Sequence, residues 1–329
     1  MKRFWSRLEP PLTILCLVYL IALAGLSLIK FAQPFNDAYG WWAIPGLWLN
    51  VLPVLYLAAP PILIFGISVK RYSLMLGSTF LVALAFGLFA PLFIPKPDPA
   101  NLSADISVMT FNTIVNPVAL GNAMGKYDTD IVFVQETPSL SELQELEVAQ
   151  GYTLVYGGER RGNAVLSKYP VLTERNISLG GGWEAQRLVL EVEGRELAVY
   201  NIHLLLPLNL RPVESTVGQI FGARYDERVR NAQIRALLGE LETETLPFIV
   251  AGDFNLSEYS PIYDELAAVM RDSYRESAQG FGFSWHASLT FLRIDYIWHS
   301  STLTAVRSLR GEHFGSDHYP VIGELAWSR

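Results

Sequence analysis

The chain has 329 residues and a net charge of −7; 50% of its residues are hydrophobic and only 17% are charged. This length leaves room for one large domain or two smaller ones. The composition is too apolar for an ordinary soluble enzyme, and the apolar excess is concentrated near the N-terminus.

Three stretches near the N-terminus contain no charged residue: 11–29, 47–69 and 74–94. Each has about 20 residues, enough to cross a hydrocarbon core of roughly 30 Å. A signal peptide followed by buried core helices would explain one stretch but not three. Proline residues interrupt the middle stretch, which we expect to be kinked or partly re-entrant. The sequence therefore predicts a membrane domain, residues 1–94, with three transmembrane helices.

The basic residues predict the orientation of these helices. They are Lys2, Arg3 and Arg7 before the first stretch, and Lys70 and Arg71 between the second and the third. By the positive-inside rule, the N-terminus and the loop at Lys70 lie in the cytoplasm. With three spans, we expect a multi-pass protein of the plasma (inner) membrane whose C-terminal part is extracytoplasmic.

Residues 95–104 are rich in proline and are predicted to be a short, stiff linker to a globular domain, residues 105–329. From Pro97 onward there are 18 Lys and Arg against 30 Asp and Glu, a net charge of −12. Long nucleic acids bind through neutralisation of their phosphates by basic side chains, so such an acidic part is a poor match for them.

Strand-like runs are frequent in this second part, and several alternate apolar and polar residues. They are 106–111, 131–134, 164–166, 188–192, 197–202, 248–251, 294–298 and 319–325. Helical signals are fewer: a capping box at Ser139 and Glu142, helical periodicity over 224–241, and a helix start at Ser260-Pro261. This mixture predicts packed sheets with outer helices, an α/β fold.

Polar side chains lie where these strands end or begin. They are Asn112, Glu136, His203, Asp253, Asn255, Asp295, Asp317 and His318. Taken singly, an Asn or Asp after a strand is usually a turn residue, a Glu is usually solvated, and a His is usually structural. Because strand ends meet at one edge of a sheet, their joint occurrence instead favours a common cleft.

Two short motifs carry the chemistry of this cleft: Gly252-Asp253-Phe254-Asn255 and Gly315-Ser316-Asp317-His318. One carboxylate can hold a hard cation and another can orient a water, while an amide and a histidine can grip phosphoryl oxygens. The motifs therefore predict a metal-dependent enzyme that cleaves phosphate esters.

The sequence resembles the endonuclease/exonuclease/phosphatase superfamily, metal-dependent phosphoesterases that include deoxyribonuclease I-like nucleases, inositol polyphosphate 5-phosphatases and neutral sphingomyelinases. The resemblance covers about residues 105–326, in family order, and implies a four-layer α/β sandwich with two facing sheets and outer helices. The matching stretches are Thr110-Phe111-Asn112, Gln135-Glu136, Gly162-Asn163-Ala164-Val165-Leu166-Ser167, Asn201-Ile202-His203-Leu204, Gly252-Asp253-Phe254-Asn255, Arg293-Ile294-Asp295-Tyr296-Ile297 and Ser316-Asp317-His318.

The resemblance also implies a metal centre. It makes Glu136 the main metal ligand, with Asn112 and Asp317 in or near the shell of the ion. All of these are oxygen donors, which fits Mg²⁺ and leaves Mn²⁺ open.

The same resemblance assigns the catalytic roles. Asp253 orients or deprotonates the attacking water, and Asn255 steadies that water or a phosphoryl oxygen. His318 contacts the phosphoryl group and is held by Asp295 through a carboxylate–imidazole hydrogen bond. His203 is a second contact to the transition-state charge, and the sequence leaves its carboxylate partner open.

One further candidate is Arg187, which lies where many relatives carry an arginine that contacts the substrate phosphate. A surface ion pair explains this residue equally well.

Three functions compete on the sequence alone. The first is a membrane-anchored phosphatase or phosphodiesterase that acts on a lipid-linked phosphate outside the cytoplasm. Three spans followed by an external catalytic domain are similar to the teicoplanin-resistance membrane proteins of the superfamily, which suggests polyprenyl (pyro)phosphate lipids. The second is a surface endonuclease or exonuclease, which the acidic charge disfavours. The third is a non-catalytic membrane scaffold, which the complete motif set disfavours.

The expected partners are the lipid bilayer and the lipid-linked phosphate; no protein partner can be inferred.

Overall fold

The computed structural model describes residues 2–96, 102–157, 162–208, 225–288 and 290–328. The central part of the predicted linker, residues 97–101, therefore lies outside the described residues, as does residue 224 of the predicted helix over 224–241.

The N-terminal part is helical. Its helices are α1 (Lys2–Ala32), α2 (Ala43–Asn50), α3 (Leu52–Tyr56), α4 (Ala59–Ser68) and α5 (Tyr72–Phe89), with 3₁₀ turns at Gly40–Trp42 and Ala90–Phe93. The segments Leu8–Ala32 and Tyr72–Phe93 are long and apolar enough to cross a membrane. A third span exists only if Gly40–Asn50 and Leu52–Ser68, which are bent by 71°, count as one. The structure thus supports two candidate spans or three, and the predicted count of three is not confirmed.

The bend in the middle segment has a local cause. Pro53 lies in the first turn of α3, and Pro60 and Pro61 lie in the first turn of α4. A proline lacks the N–H group of a helix interior and its ring clashes with the preceding turn, so it is tolerated at a helix start. The prolines therefore break this segment into short helices, which agrees with the kink expected from the sequence.

The described residues of the C-terminal part contain twelve strands and five further helices. The strands are β1 (Ile106–Asn112), β2 (Ile131–Gln135), β3 (Thr153–Tyr156), β4 (Ala164–Ser167), β5 (Val171–Gly180), β6 (Trp183–Val192), β7 (Arg195–His203), β8 (Phe248–Asp253), β9 (Arg271–Asp272), β10 (Asp295–His299), β11 (Leu303–Arg310) and β12 (Val321–Trp327). The helices are α6 (Pro117–Tyr127), α7 (Leu140–Gln150), α8 (Arg228–Leu241), α9 (Ile262–Val269) and α10 (Ser273–Ser277).

The strands form two six-stranded sheets. The order is β11-β12-β1-β2-β4-β3 in one and β5-β6-β7-β8-β10-β9 in the other. Side chains alternate between the faces of a strand, and a buried cluster between the sheets takes Val108 and Phe133 from the first sheet and Val199, Ala251 and Ile297 from the second. The two sheets therefore face each other across one apolar core.

Helices cover the outer faces of both sheets. Phe111 of β1 packs with Leu120 of α6 in one outer cluster. Tyr200 of β7 packs with Ile234 of α8 and Leu266 of α9 in the other. The order helix, sheet, sheet, helix is the four-layer α/β sandwich that the resemblance implied.

Two parallel strand pairs bring the functional motifs to one edge. β1 pairs with β2 in parallel, with Asn112 opposite Gln135. β7 pairs with β8 in parallel, with His203 opposite Asp253, and β10 starts antiparallel at Asp295, also opposite Asp253. Parallel strands end at the same edge, so this topology gathers the polar ends predicted from the sequence.

The N-terminal helices pack directly on the sandwich. Tyr225 is buried in one cluster with Leu52 and Leu74 of the helical part. Phe89 makes edge-on ring contacts with Tyr259 and Phe281, with centroid separations of 6.2 and 5.6 Å. The helical part is therefore in contact with the loops before α9 and β10.

Candidate active site

The amide of Asn112 lies at the centre of the site. Its Nδ2 donates to Oδ2 of Asp253 over 3.1 Å and to Oε1 of Glu136 over 3.3 Å. Asn112 and Asp253 are both buried, whereas the side chain of Glu136 is 42% exposed. One amide thus joins a buried carboxylate of the second sheet to an accessible carboxylate of the first.

The backbone is left-handed at two positions of the site, and it is strained at Glu136 rather than at Asn255, because asparagine tolerates this conformation. Glu136 has φ = 46° and Asn255 has φ = 48°, in the left-handed region that L-residues rarely adopt. Glu136 is held there because its carbonyl oxygen accepts from Val115 N at 2.8 Å and from Thr113 Oγ1 at 2.7 Å. Such strain is typical of residues whose side chains are positioned for function.

The close approach of two strands explains the glycine of the Gly-Asp-Phe-Asn motif. Gly252 has φ = 149°, and a Cβ atom there would lie 1.8 Å from the carbonyl oxygen of Ile202 on β7. Only glycine permits this close approach of the two strands, which places Asp253 opposite His203 in the register. The Nε2 atom of His203 lies 3.8 Å from Oδ2 of Asp253 and 3.9 Å from Oε1 of Glu136.

His318 and Asp295 form a buried pair. Nδ1 of His318 lies 2.9 and 3.1 Å from the two carboxylate oxygens of Asp295, and Nε2 lies 3.8 Å from Oδ2 of Asp253. Burial lowers the pKa of His318, but the charge and hydrogen bond of Asp295, with the charges of Asp253 and Asp317, raise it overall to about 9. The imidazole is therefore held in its cationic form at neutral pH.

Asp253 has the opposite environment. Its burial raises the pKa of the carboxyl group, and the charge of Asp295 acts in the same direction, against the lowering effect of His318 and His203. Oδ1 accepts from the backbone N–H of Asn255 at 2.9 Å. The side chain of Asn255 is itself anchored, because its Nδ2 donates to the carbonyl oxygen of Leu204 at 2.9 Å.

The motif Ser316-Asp317-His318 is tied to the centre through its serine. Ser316 Oγ donates to the carbonyl oxygen of Asn112 at 2.8 Å and accepts from His318 N at 3.1 Å. Asp317 places Oδ1 3.8 Å from Nε2 of His318. The serine therefore fixes the two following side chains relative to Asn112.

Two features of the site were missed in the sequence. Trp285 Nε1 donates to Asp317 Oδ2 at 3.1 Å, and the indole lies against His318 with ring centroids 6.4 Å apart. A buried amide pair lies below the site, with Gln135 Nε2 donating to Asn201 Oδ1 at 2.7 Å across the two sheets. Gln135 and Asn201 each lie in a stretch that matches the family, so the sequence could have pointed to them. Trp285 lies in no such stretch.

The structure does not bring Arg187 to the site. It lies opposite Tyr200 in the register, on the outer face of the second sheet, whereas His203 and Asp253 lie on the inner face. Its guanidinium group donates to Glu244 Oε2 at 2.6 and 2.9 Å and to Tyr200 Oη at 3.1 Å. This ion pair, not a phosphate contact, accounts for the arginine.

The donor set fits a hard divalent cation. Glu136 offers an accessible carboxylate beside the amide of Asn112, and Asp317 Oδ1 has no hydrogen-bond partner within the described ranges. Ligand atoms of Asp253, Asp295 and His318 also lie within 4.8 Å of one another. In that group, however, His318 Nδ1 already lies at hydrogen-bond distance from Asp295, so this pair is satisfied without an ion. The carboxylate oxygens of Glu136 match the ligands that Mg²⁺ prefers, while the amide oxygen of Asn112 accepts from the N–H of Ile114 at 3.2 Å.

Comparisons with known proteins identify the family of the chain. The model of the Endonuclease/Exonuclease/phosphatase family matches residues 109–318. YbhP of Escherichia coli (strain K12) is 27% identical over 227 residues, which cover 63% of this chain and 82% of that protein. Among solved structures, the mannosyl-6-phosphatase Bt3783 of Bacteroides thetaiotaomicron VPI-5482 is 19% identical with a TM-score of 0.54, over 68% of this chain and 100% of that one.

The fold is shared more widely. The catalytic domain of human Nocturnin with a bound sulfate anion is 21% identical with a TM-score of 0.54, over 68% of this chain and 94% of that one. At this level of identity, the structural likeness shows the fold alone. The family model, however, covers well over half of the chain and spans every motif from Asn112 to His318. The chain therefore belongs to the endonuclease/exonuclease/phosphatase family of phosphate-ester hydrolases.

Proposed function

We propose that the protein is a membrane-anchored, Mg²⁺-dependent phosphoesterase that hydrolyses a phosphate ester or pyrophosphate of a lipid-linked substrate outside the cytoplasm. The observation that carries the reaction is the chain of contacts from Glu136 through Asn112 and Asp253 to His318. It combines an accessible oxygen ligand, a buried basic carboxylate and a cationic imidazole in one cleft.

The cation would be held mainly by the carboxylate of Glu136, with Asn112 and Asp317 in or near its shell. When bound, such an ion neutralises charge on the phosphoryl group and on the leaving oxygen. Asn112 serves both sides of the site, because its Nδ2 also holds Asp253 Oδ2 at 3.1 Å.

Asp253 is the proposed base for the attacking water. Burial raises its pKa, which strengthens it as a proton acceptor. The N–H of Asn255 fixes Oδ1, so the carboxylate has a defined orientation. The water attacks phosphorus, its proton passes to Asp253, and the bond from phosphorus to the leaving oxygen breaks.

The two histidines stabilise the charge that develops on the phosphoryl oxygens. Asp295 fixes the ring of His318 through Nδ1, so that Nε2 carries a proton toward the cleft. His203 Nε2 lies between Asp253 and Glu136 and offers a second contact. Preorganised donors of this kind cost little reorganisation during the reaction.

An apolar groove supports a lipid-linked substrate. It has a volume of about 250 Å³ and lies between helices α3–α5 and the sandwich, with Tyr56 and Phe89 on one side and Phe281 and Phe283 on the other. Phe283 is two residues before Trp285, which bonds to Asp317 in the site. One loop therefore lines the groove with Phe283 and reaches the site with Trp285.

The site is tested with the full-length protein in detergent, with Mg²⁺ and, in parallel, a prenyl pyrophosphate, a phospholipid panel and plasmid DNA. We expect phosphate release from a lipid. Replacing Asp253, Glu136 or His318 by alanine should each slow it about 10²–10⁴-fold, whereas Asp128→Ala, at an exposed position, should not. DNA nicking without lipid hydrolysis would indicate a nuclease, and inactivity on all three despite bound metal would indicate a scaffold.

The extracytoplasmic placement is also a proposal, supported by the basic residues at the N-terminus and at Lys70–Arg71. A C-terminal fusion to a phosphatase reporter that works only outside the cytoplasm should be active. A silent reporter, with a cytoplasmic reporter active at the same position, would refute the placement.

A further inference from the structure

We propose that Glu227 and Arg230 are positioning residues that connect the helical part to the catalytic loop at Asn255, so that docking of the sandwich on the helices completes the site. The inference rests on the proposed phosphoesterase function and adds a role for residues outside the cleft. It is carried by a continuous chain of buried polar contacts.

The centre of this chain is a buried ion pair. Nη2 of Arg230 lies 2.9 Å from Oε1 of Glu227, and the two side chains are 0% and 1% exposed. The other arm of the guanidinium group, Nη1, donates to the carbonyl oxygen of Asn255 at 2.9 Å. The planar fork of the arginine thus bridges Glu227 and the loop that follows Asp253.

At its other end, Glu227 is bonded to the connection between α1 and α2. Its Oε2 accepts from Ala38 N at 3.0 Å, and its own N–H donates to Ala38 O at 3.1 Å. Tyr225 Oη donates to Glu227 Oε1 at 2.6 Å and accepts from Asn50 Nδ2 at 2.7 Å. Two points of the helical part therefore hold the same carboxylate.

At the catalytic end of this series of contacts, only Asn255 lies between Arg230 and Asp253. Asn255 donates its N–H to Oδ1 of Asp253, so Arg230 is separated from the proposed base by one residue. Asn255 has a left-handed backbone, a conformation that asparagine tolerates better than most side chains. A shift of Ala38 or Asn50 is thereby transmitted through Glu227 and Arg230 to the orientation of Asp253.

A purely structural role would not require charges here. A buried ion pair carries a large desolvation cost, and apolar residues of similar volume are often as stable or more so. Apolar side chains at positions 227 and 230 could not form these hydrogen bonds, which join Ala38 to Glu227 and Arg230 to the carbonyl oxygen of Asn255. The geometry therefore fits a positioning function better than a contribution to stability.

The chain offers a matched control on the same helix. Arg235 also contacts the α1–α2 connection, with Nη1 3.1 Å from Asp37 Oδ1, and Nη2 3.0 Å from Glu265 Oε1. Within the described part of the chain it makes no contact with Asn255. Replacing Arg235 weakens the same interface without touching the catalytic loop.

The test compares the full-length wild type with Arg230→Lys, Tyr225→Phe and Arg235→Met in detergent. Arg230→Lys keeps the buried positive charge but not the two-armed fork. We expect kcat to fall about 10-fold in Arg230→Lys, with a smaller fall in Tyr225→Phe, and KM to stay within about twofold. Arg235→Met should keep the wild-type kcat. Equal kcat values in Arg230→Lys and Arg235→Met would overturn the proposal.

A second measurement tests the positioning role of Arg230 independently of which substrate the protein cleaves. Kinetics use any phosphate ester that the wild type cleaves, including bis(p-nitrophenyl) phosphate. Hydrogen exchange over residues 253–260 needs no substrate at all. Faster exchange there in Arg230→Lys than in Arg235→Met supports the connection even if no lipid is hydrolysed, and unchanged exchange refutes it even if lipid hydrolysis is found.

Discussion

Asn112 Nδ2 donates to Asp253 Oδ2 over 3.1 Å, and this hydrogen bond joins the ends of strands from two different sheets. The same amide donates to Glu136 Oε1 at 3.3 Å. A neutral donor therefore lies between two carboxylates that would otherwise repel each other. The metal-binding and water-activating halves of the proposed site meet at this one side chain.

Replacing Asn112 by aspartate tests this arrangement with almost no change in shape. The variant puts a third carboxylate where a donor is needed, so both carboxylates lose a hydrogen bond and gain a like charge. We expect kcat to fall about 10²–10³-fold at neutral pH. The matched control is Asn116→Asp, because Asn116 caps α6 and aspartate caps equally well. Comparable activity of the two variants would contradict the role of Asn112.

Removal of the metal is expected to abolish activity. A chelator should inactivate the protein, and Mg²⁺ or Mn²⁺ should restore it, because the expected ligands, led by the accessible carboxylate of Glu136, are oxygen donors. Glu136→Gln should raise the half-saturating metal concentration by about tenfold or more, since changes even to the hydrogen-bond partners of metal ligands weaken binding by about 10–100-fold. Binding of Mn²⁺ measured by electron paramagnetic resonance reports this without turnover. Full activity after exhaustive chelation would rule out a metal centre.

Arg187→Met tests where this arginine acts. Because Arg187 is bonded to Glu244 and Tyr200 on the outer face, its loss leaves the buried carboxylate of Glu244 with the hydroxyl of Tyr200 but without a cationic partner. We expect a loss of unfolding free energy of about 3 kcal/mol, with kcat within about twofold of wild type. Thermal unfolding and kinetics on the same preparation separate the two effects. A normal stability with a much raised KM would restore the phosphate contact expected from the sequence.

The strand ends that form the candidate site could be predicted because they depend on local pattern. Apolar runs end at Asn112, His203 and Asp253, and parallel pairing then gathers such ends at one edge. The strands missed in the sequence are the four edge strands of the two sheets, β3, β5, β9 and β11. In β5, for example, a run of exposed residues lacks a clear alternation. Edge strands pair on one side only, so their sequences carry a weaker signal.

Contacts between distant segments could not be predicted. Arg187 was assigned by its position in the chain, but the face of β6 on which it lies depends on the register with β7. Likewise, Trp285 reaches Asp317 only through tertiary structure. The bonds from Glu227 to Ala38 join residues far apart in sequence, and no local pattern of either segment specifies them.

A buried charge network beside the site gives the last prediction. Arg293, which precedes Asp295 by two residues, donates through Nη1 and Nη2 to Asp272 at 3.1 and 2.6 Å and to Glu258 at 3.1 Å. Burial alone would raise the pKa of Asp272, but the charge and hydrogen bonds of Arg293, with those of Arg275 and Tyr263, hold it below its usual value. The arginine of this family motif therefore has a structural task.

Asp272→Asn should destabilise the protein by about 3 kcal/mol at neutral pH, because it leaves Arg293 buried with one charged partner fewer. Since the pKa of Asp272 is lower in the folded state, its ionised form contributes stability above the unfolded pKa of about 4. That contribution is lost as the pH falls through the folded value. The difference in unfolding free energy between wild type and Asp272→Asn should therefore shrink below about pH 4. Thermal unfolding across this range measures it, with the exposed Asp128→Asn as a control that should differ little from wild type at any pH. A difference that stays constant on acidification would show that the charge of Asp272 is not what stabilises the fold.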